Sequence, residues 1–370
     1  MSDPAGRPRA RDLGLILGDL EPGPLNAITD VSGVRVGHVA VTDEGSPPER
    51  RPVRTGVTVV LPHGGNLFRH KVPAAFHVIN AFGKAAGSTQ VQELGVLETP
   101  VALTGTLSVG TVFEGLVQHA LAASPEIGRS AGTVNPVVAE CNDARLSDIR
   151  VRAIQPGHVF QAISAATTGP VAEGSIGAGT GMVCYGWKAG IGTASRVAGH
   201  GPDQFTVGAL GLANFGCSRD LRIAGIPVGT MLRPPAAEED RAGGSCVIVL
   251  ATSAPADARQ LGRLARRAQY GLARTGTFGE HGSGEYVIAF STARYAEHAP
   301  GEGVISTQMV AEDGPLIDAL FRAVTESVEE AVVNALLRAA PVGPTGEGSI
   351  APPLPISKLT DILASAGALP

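Results

Sequence analysis

One serine stands where a chain break would create a nucleophile with its own base. Ser245 follows two glycines and begins an uninterrupted apolar run in the sequence GGSCVIVLA. If the bond between Gly244 and Ser245 breaks, one residue carries both a hydroxyl and an α-amine of pKa roughly 7.7–8.0. Because glycine lacks a Cβ, Gly244 tolerates the distorted backbone of an N→O acyl shift. The junction predicts self-cleavage and catalysis by Ser245, although Gly-Gly-Ser is also common in turns.

A hydroxyl and a carboxylate lie farther along the chain, in the sequence GEHGSGEYVIAF. Ser283 and Glu285 are two positions apart at the start of an apolar strand, so their side chains point to the same side. Such a pair is suited to hydrogen-bond the amine or the hydroxyl of Ser245 and to set its proton balance. The alternative is an ordinary turn serine beside an exposed glutamate.

A side-chain amide, Asn214, ends an apolar strand in the sequence GLANFG. An amide in this place is suited to donate to an oxyanion, and loss of one such donor typically lowers the rate ~100- to 1,000-fold. On local grounds alone, an asparagine in a strand-end turn is the simpler interpretation.

The elements that must position these residues follow from apolar patterning and turn residues. Strands are predicted over residues 34–41, 57–61, 101–104, 134–139, 205–214, 246–251 and 286–290, with paired strands inside the glycine-rich run 174–196. Helices are predicted over residues 73–86, 111–123, 159–168, 316–339 and 358–365, with a further helix that begins near Ser253. Residues 234–244 are predicted to form an exposed loop. An α/β chain without strict βαβ alternation fits two stacked sheets flanked by helices at least as well as a doubly wound sheet.

Composition excludes several classes of function. The chain has 370 residues, of which 44% are apolar and 17% charged, with a net charge of −5. Without a basic stripe, we expect neither nucleic acid nor an anionic membrane surface as a partner. No run approaches the ~20 apolar residues of a membrane span, and no leader peptide is evident, so a cytoplasmic location is expected. The four cysteines have no paired spacing and are expected to be free, mostly buried thiols.

Neither a metal nor an organic cofactor is predicted. His63, His70 and His77 recur every seven residues, but the first precedes a Gly-Gly turn and is expected on a different element. The GAGTG sequence does not extend to the G-x-G-x-x-G pattern of a dinucleotide site.

Taken together, the segments resemble the L-aminopeptidase/D-Ala-esterase/amidase family, which includes the β-aminopeptidases. The matching runs are GPLNAITDVSGVRVGH, PAAFHVINAFGKAAGSTQVQELG, VVAECNDARLSDIR, GAGTGMVCYGWKAGIGTASR, LANFG, GGSCVIVLATSAP and GEHGSGEYVIAFST. The resemblance implies a single domain, residues 1–370, cut into an α chain of residues 1–244 and a β chain of residues 245–370. It also implies a four-layer αββα sandwich, similar to N-terminal-nucleophile hydrolases but connected differently, no cofactor, and a homo-oligomer, a tetramer of αβ units.

The same resemblance implies roles for individual residues. Ser245 would be the nucleophile, Ser283 and Glu285 would complete the catalytic group, and Asn214 would help to form the oxyanion hole. Glu140 would hold the free ammonium of the substrate, whereas read without the family it is a surface carboxylate at a strand end.

One segment departs from the family pattern. Relatives have Asn-Asp-Gly and then an aromatic residue that lines the pocket, where this chain has Asn142, Asp143, Ala144 and Arg145. Because arginine is longer and charged, Arg145 would either favour an acidic substrate group or turn to solvent.

The leading hypothesis is an aminopeptidase or amidase that acts on small peptides, amides or esters with a free N-terminal amine, through an acyl-enzyme on Ser245. The alternatives are an amidohydrolase for pantetheine-type compounds, acyl transfer to an amine acceptor, and a binding scaffold without turnover.

Overall fold

The computed structural model describes residues 6–45, 51–234, 244–342 and 351–369. The strands are β1 Arg35–Asp43, β2 Val53–Leu61, β3 His70–Ala81, β4 Ala85–Ala86, β5 Val96–Leu97, β6 Val101–Gly105, β7 Val137–Cys141, β8 Val183–Cys184, β9 Trp187–Lys188, β10 Ile191–Ala198, β11 Phe205–Asn214, β12 Gly244–Thr252, β13 Ser283–Ser291 and β14 Ala296–Glu297. The helices are α1 Ser88–Leu94, α2 Val109–Ala123, α3 Pro156–Ser164, α4 Val228–Met231, α5 Ala258–Ala265, α6 Ala268–Arg274, α7 Pro315–Leu337 and α8 Ile356–Ser365.

Two large sheets carry the fold. The first has the strand order β1-β2-β6-β7-β4, and the second has the order β10-β11-β12-β13-β3-β14 with β5 added beside β3. The neighbours β6 and β7 are parallel, as are β12 and β13, while the other pairs in these sheets are antiparallel. The short strands β8 and β9 form a separate hairpin.

Three apolar cores lie between four layers. One core, which includes Val247, Val249 and Leu103, fills the space between the two sheets. A second joins the other face of the second sheet to α5, α6, α7 and α8, and a third joins the first sheet to α2 and α3. Because both faces of each sheet are covered, central strands such as β2 and β12 are buried on both sides. The predicted αββα sandwich is confirmed.

The predicted helix over residues 73–86 is wrong, because this segment forms strand β3. Val72, Ala74 and Phe76 pack between the sheets, while Ala75 faces the helical layer. Residues 72–76 are buried on both faces and show no polar alternation, so the apolar spacing of this segment resembles that of a helix.

The helix predicted from Ser253 is also different in the structure. Two short helices, α5 and α6, replace it, and the N-cap is Asp257, whose carboxylate accepts a hydrogen bond of 2.7 Å from the Gln260 amide. Ser253 instead accepts a hydrogen bond from the Thr206 amide at 3.0 Å. The predicted helices near α2, α3, α7 and α8 and the predicted strands are present, with ends that differ by a few residues. Of the predicted loop 234–244, residues 235–243 lie outside the described residues.

Helix α7 is fixed to the second sheet by a buried arginine. Arg196, on β10, contacts Glu330 at 2.5 Å and Glu326 at 3.2 Å, and all three side chains are almost fully buried. The guanidinium also donates to the carbonyl of Leu17 at 2.5 Å. A buried charge is tolerated only with such close partners, so this cluster fixes how α7 packs on β10.

A buried lysine closes the glycine-rich run. The ammonium of Lys188, on β9, donates to the carbonyls of Gly179, Met182 and Ala189 at 3.1, 3.0 and 2.5 Å. The paired strands predicted in residues 174–196 are confirmed as the β8–β9 hairpin. Lys188 of this hairpin binds the preceding turn, Gly177–Gly181, through the Gly179 carbonyl.

The four cysteines form no disulfide bond and are buried, as predicted. Within the described parts of the chain, no helix combines the length and apolar character needed to cross a membrane.

Candidate active site

Ser245 lies near the start of β12, in the middle of the second sheet. It pairs with Asn214 of β11 on one side and with Gly284 of β13 on the other. Its hydroxyl oxygen accepts two hydrogen bonds of 3.0 Å, from the side-chain amide of Asn214 and from the backbone N–H of Asn142. Asn142 follows β7 of the first sheet, so donors from both sheets meet at this oxygen. Such an arrangement is able to stabilise negative charge on an oxygen bound there.

The orientation of the Asn214 amide is fixed by its other contacts. The N–H of Val183 donates to its Oδ1 atom at 3.0 Å, which leaves the Nδ2 group as the end that faces Ser245. Nδ2 also donates to the carbonyl of Asn142 at 3.0 Å. Val183 belongs to the hairpin that Lys188 secures, so a buried network determines which end of the amide reaches the serine.

Ser283 and Glu285 form a hydrogen-bonded pair beside the predicted cleavage point. The Ser283 hydroxyl donates to Oε1 of Glu285 at 3.0 Å, and both side chains are buried. In the parallel ladder Ser283 pairs with Gly244, and Glu285 pairs with Cys246. Since side chains alternate along a strand, this pair lies on the opposite face from the Ser245 side chain. It therefore flanks the backbone link between Gly244 and Ser245.

The environment of Glu285 favours its protonated form more than water does. Burial raises the pKa of its carboxyl, the Ser283 hydroxyl opposes that rise, and the charge of Glu280 adds to it. A carboxyl with a raised pKa beside a serine is a usual feature of catalytic sites, although buried structural groups also show it.

Gly244 has no room for a side chain. A Cβ at this position would lie 2.7 Å from the Cα of Phe215 and 2.8 Å from the carbonyl oxygen of Asn214. The backbone before Ser245 is therefore pressed against the end of β11. The sequence suggested that Gly244 is needed for its conformational freedom. In the structure, a glycine is needed because any side chain would collide with the end of β11.

Glu140 is a buried carboxylate on β7, next to Cys141 and two residues before the Asn142 amide. One carboxylate oxygen accepts the backbone N–H of Lys84 at 3.0 Å and lies 3.6 Å from the Lys84 ammonium. The other oxygen is buried and makes no hydrogen bond to the described residues. The neighbouring Cys141 thiol contacts the Ser245 hydroxyl; its pKa is raised well above the ordinary value by burial, with the Glu140 charge adding to the rise. The interpretation of Glu140 as a surface carboxylate is wrong, since only 3% of it is exposed.

The loop after β7 carries the segment that departs from the family pattern. Arg145 is exposed, and its carbonyl lies 3.5 Å from the Arg51 guanidinium. Asp143 is buried, and its carboxylate packs so closely on Gly105 that a Cβ there would lie 2.4 Å from it. Burial raises the pKa of Asp143 to about 6, a rise that the Thr55 hydroxyl partly offsets and the Glu140 charge increases.

The structure thus brings Ser245, Asn214, Ser283 and Glu285 onto three adjacent strands, with Glu140 two residues before the Asn142 amide. That amide could not be recognised as a donor from the sequence, because a backbone N–H has no sequence signal. Lys84 had no signal in the sequence either, and only the fold brings its ammonium to 3.6 Å from Glu140.

Comparisons with known proteins agree on family and fold. The profile of peptidase family S58 matches residues 26–348. The β-peptidyl aminopeptidase BapA of Sphingosinicella microcystinivorans is 40% identical over 348 residues, which are 90% of this chain and 86% of that protein.

Two solved structures are similar over almost the whole chain. A Burkholderia sp. β-aminopeptidase has a TM-score of 0.89 and 42% identity, covering 98% of this chain and 100% of that one. The L-aminopeptidase D-Ala-esterase/amidase of Ochrobactrum anthropi has a TM-score of 0.90 and 39% identity, with the same coverage. The latter is described as a variant of the N-terminal-nucleophile hydrolase fold, so the predicted resemblance to that fold is confirmed.

Proposed function

The chain belongs to peptidase family S58, and we propose that it matures by cutting its own backbone between Gly244 and Ser245. Its family and relatives make it a serine-type aminopeptidase and amidase of the N-terminal-nucleophile fold. The cut would leave an α chain, residues 1–244, and a β chain, residues 245–370, in one domain of residues 1–370.

The proposed maturation is an N→O acyl shift followed by hydrolysis. The Ser245 hydroxyl attacks the Gly244 carbonyl carbon, and the tetrahedral intermediate expels the Ser245 nitrogen, which takes up the hydroxyl proton. Water then cleaves the ester, leaving a carboxylate on Gly244 and restoring the hydroxyl on Ser245. The close approach of Gly244 to Phe215 supports this step, because a Cβ at this position would displace the backbone that carries the attacked carbonyl.

In turnover the new α-amine would act as the base. Its ordinary pKa of roughly 7.7–8.0 allows it to take the hydroxyl proton as Ser245 attacks a substrate carbonyl. The proton then passes to the leaving amine, and water hydrolyses the acyl-enzyme by the same route in reverse. The strand register supports a role for Ser283 and Glu285 at this amine rather than at the hydroxyl.

The developing oxyanion of the substrate would bind where two donors converge. The Asn214 side chain and the Asn142 amide both point at the Ser245 oxygen, each at 3.0 Å. An acyl carbonyl attacked by this oxygen would be within reach of the same donors, which supports their assignment to the oxyanion hole.

Glu140 would hold the free ammonium of the substrate. Its second oxygen is buried and lacks a hydrogen-bond partner among the described residues, which is costly unless a ligand supplies one. An ammonium there would pair with a carboxylate in low dielectric, so substrates with a free amine are expected to be preferred over blocked ones. The substrates proposed are small peptides, amides or esters with a free N-terminal amine.

One observation carries the proposal: Ser245, next to a glycine without room for a side chain, accepts hydrogen bonds from two converging donors. Intact-mass analysis of the purified protein is expected to show two polypeptides that divide before Ser245, and Ser245→Ala should remain whole. A Ser245→Ala protein that still divides at this bond would overturn the proposal.

We further propose that the mature protein is a tetramer of αβ units. Support comes from large apolar side chains left exposed on the single chain, among them Phe82, Phe278 and Val304, which are 68, 76 and 85% exposed. Sedimentation analysis over a range of concentrations tests the assembly, and a single αβ unit at all concentrations would contradict it.

A further inference from the structure

A cation lies directly at the carboxylate that we assign to the substrate ammonium. The Lys84 ammonium is 3.6 Å from Oε1 of Glu140 and donates to the Thr106 hydroxyl at 2.9 Å. The Lys84 backbone N–H also donates to Oε1, at 3.0 Å. Oε2, in contrast, is buried without a hydrogen bond to the described residues. The two oxygens of Glu140 are therefore unequal, since Lys84 contacts one and the other has no hydrogen-bond partner among the described residues.

The backbone around Lys84 is fixed against the catalytic strand. The N–H of Phe82 donates to the Ser283 carbonyl at 3.2 Å. A Cβ on Gly83 would lie 3.0 Å from the Tyr286 hydroxyl and 3.1 Å from Glu140. The segment 82–84 therefore runs between β13 and Glu140. Lys84 is held there while 53% of its side chain stays exposed, so its ammonium is also accessible to a ligand.

Among the groups in direct contact with Glu140, the charges do not balance for a simple amine substrate. Glu140 supplies one negative charge, and Lys84 already lies beside it. A substrate ammonium at Oε2 would bring a second positive charge close to the first, and like charges at short range repel. A carboxylate on the substrate, close to its ammonium, would pair with Lys84 and remove this penalty.

We infer that Lys84 makes the site select N-terminal residues that carry a carboxylate on the same carbon as the free ammonium or on the adjacent one. Isoaspartyl and aspartyl residues meet this description. An isoaspartyl residue is a β-amino-acyl group whose substituent is a carboxylate, so it also fits the reaction named for the β-peptidyl aminopeptidase relative. The inference rests on the proposed function, because it takes Ser245 as the nucleophile and Glu140 as the ammonium site.

The test uses two matched pairs of p-nitroanilides with free amines. The isoaspartyl compound is compared with isoasparaginyl, and the aspartyl compound with asparaginyl, so that each pair differs only in the charge of one group. The readout is the ratio of kcat/KM for the acid to kcat/KM for its amide. In the unmodified enzyme at least one pair is expected to favour the acid about five- to tenfold.

Three substitutions distinguish a specific effect of Lys84 from a general effect of positive charge near the site. Lys84→Met is expected to bring the ratio to about one or below, whereas Lys84→Arg retains most of the preference. Arg145→Met, which removes an exposed cation from the neighbouring loop, should leave the ratio as it was. High salt should reduce the preference of the unmodified enzyme, because the ion pair is partly exposed.

The experiment distinguishes failure of the inference about Lys84 from failure of the proposed function. Division of every variant before Ser245, read by intact mass, shows that folding and maturation have succeeded. Equal ratios in the unmodified enzyme and in Lys84→Met, or loss of the preference in Arg145→Met alone, would overturn the inference. Absence of turnover with all four compounds and of acyl-enzyme on Ser245 would instead reject the proposed function.

Discussion

The side-chain amide of Asn214 donates to the hydroxyl oxygen of Ser245 across 3.0 Å, from the position directly opposite on the neighbouring strand. The antiparallel pairing of β11 and β12 sets this distance, and the Val183 N–H sets which end of the amide faces the serine. The contact is thus specified by backbone register as well as by side-chain type.

Asn214→Ala removes one of the two converging donors at Ser245. We expect kcat of the matured enzyme to fall about 100- to 1,000-fold with a smaller change in KM, because the donor acts mainly on charge that develops in the transition state. Steady-state kinetics on a free-amine p-nitroanilide measure the effect. Asn66→Ala is the control, since that amide contacts Ala123 and Ser124 instead. A loss confined to KM would argue against the oxyanion role.

Gly244→Ala should block or strongly slow maturation. The added Cβ would lie 2.7 Å from the Phe215 Cα, so the backbone before Ser245 must shift away from its position. The fraction of divided chain after timed incubation, measured by intact mass, reports the rate. Gly262→Ala provides the control, because its Cβ would meet only the Ala75 Cβ at 3.8 Å. Equal rates of division in both variants would show that close approach at Gly244 does not matter.

Arg196→Met should destabilise the fold by about 3–5 kcal/mol, because two buried glutamates lose their shared cation. Denaturant unfolding in a Ser245→Ala background keeps the polypeptide single and makes the free energies comparable. Arg322→Met removes the exposed ion pair between Arg322 of α7 and Asp19 and should cost less than about 1 kcal/mol. Similar losses in the two variants would contradict the importance of the buried cluster.

The Asp143 carboxyl should make stability fall as pH rises from about 4 to about 6. Its folded pKa of about 6 lies above the ordinary value of 3.8, mainly because of burial. In this window the unfolded chain has lost the proton that the folded chain retains, so deprotonation favours unfolding. The unfolding free energy of Ser245→Ala minus that of Ser245→Ala with Asp143→Asn, measured at several pH values, should therefore decrease across the window. A flat difference would mean that this carboxyl titrates as it does in water.

Side-chain chemistry in the sequence indicated Ser245, Ser283, Glu285 and Asn214, because each stands at the end of a strand that its apolar run reveals. The Asn142 amide had no such signal, since backbone donors look alike in every sequence and only the stacking of the two sheets brings this one to Ser245.

The misassigned segment 73–86 has a related cause. Residues 72–76 of strand β3 are buried on both faces, so the contrast between polar and apolar positions that identifies a strand is absent there. Lys84 follows that strand, and an assignment of helix there gave no reason to place its ammonium beside Glu140.

The order of strands in the second sheet has a consequence for how the protein could be produced in two pieces. Strands β12 and β13 lie between β11 and β3, both of which come from the first 244 residues. Neither polypeptide alone can complete that sheet, and each would expose unpaired strand edges and half of a core. The two polypeptides, expressed separately and then mixed, should aggregate. Co-expression in one cell should instead allow each strand edge to pair with the other polypeptide before it pairs with an identical one.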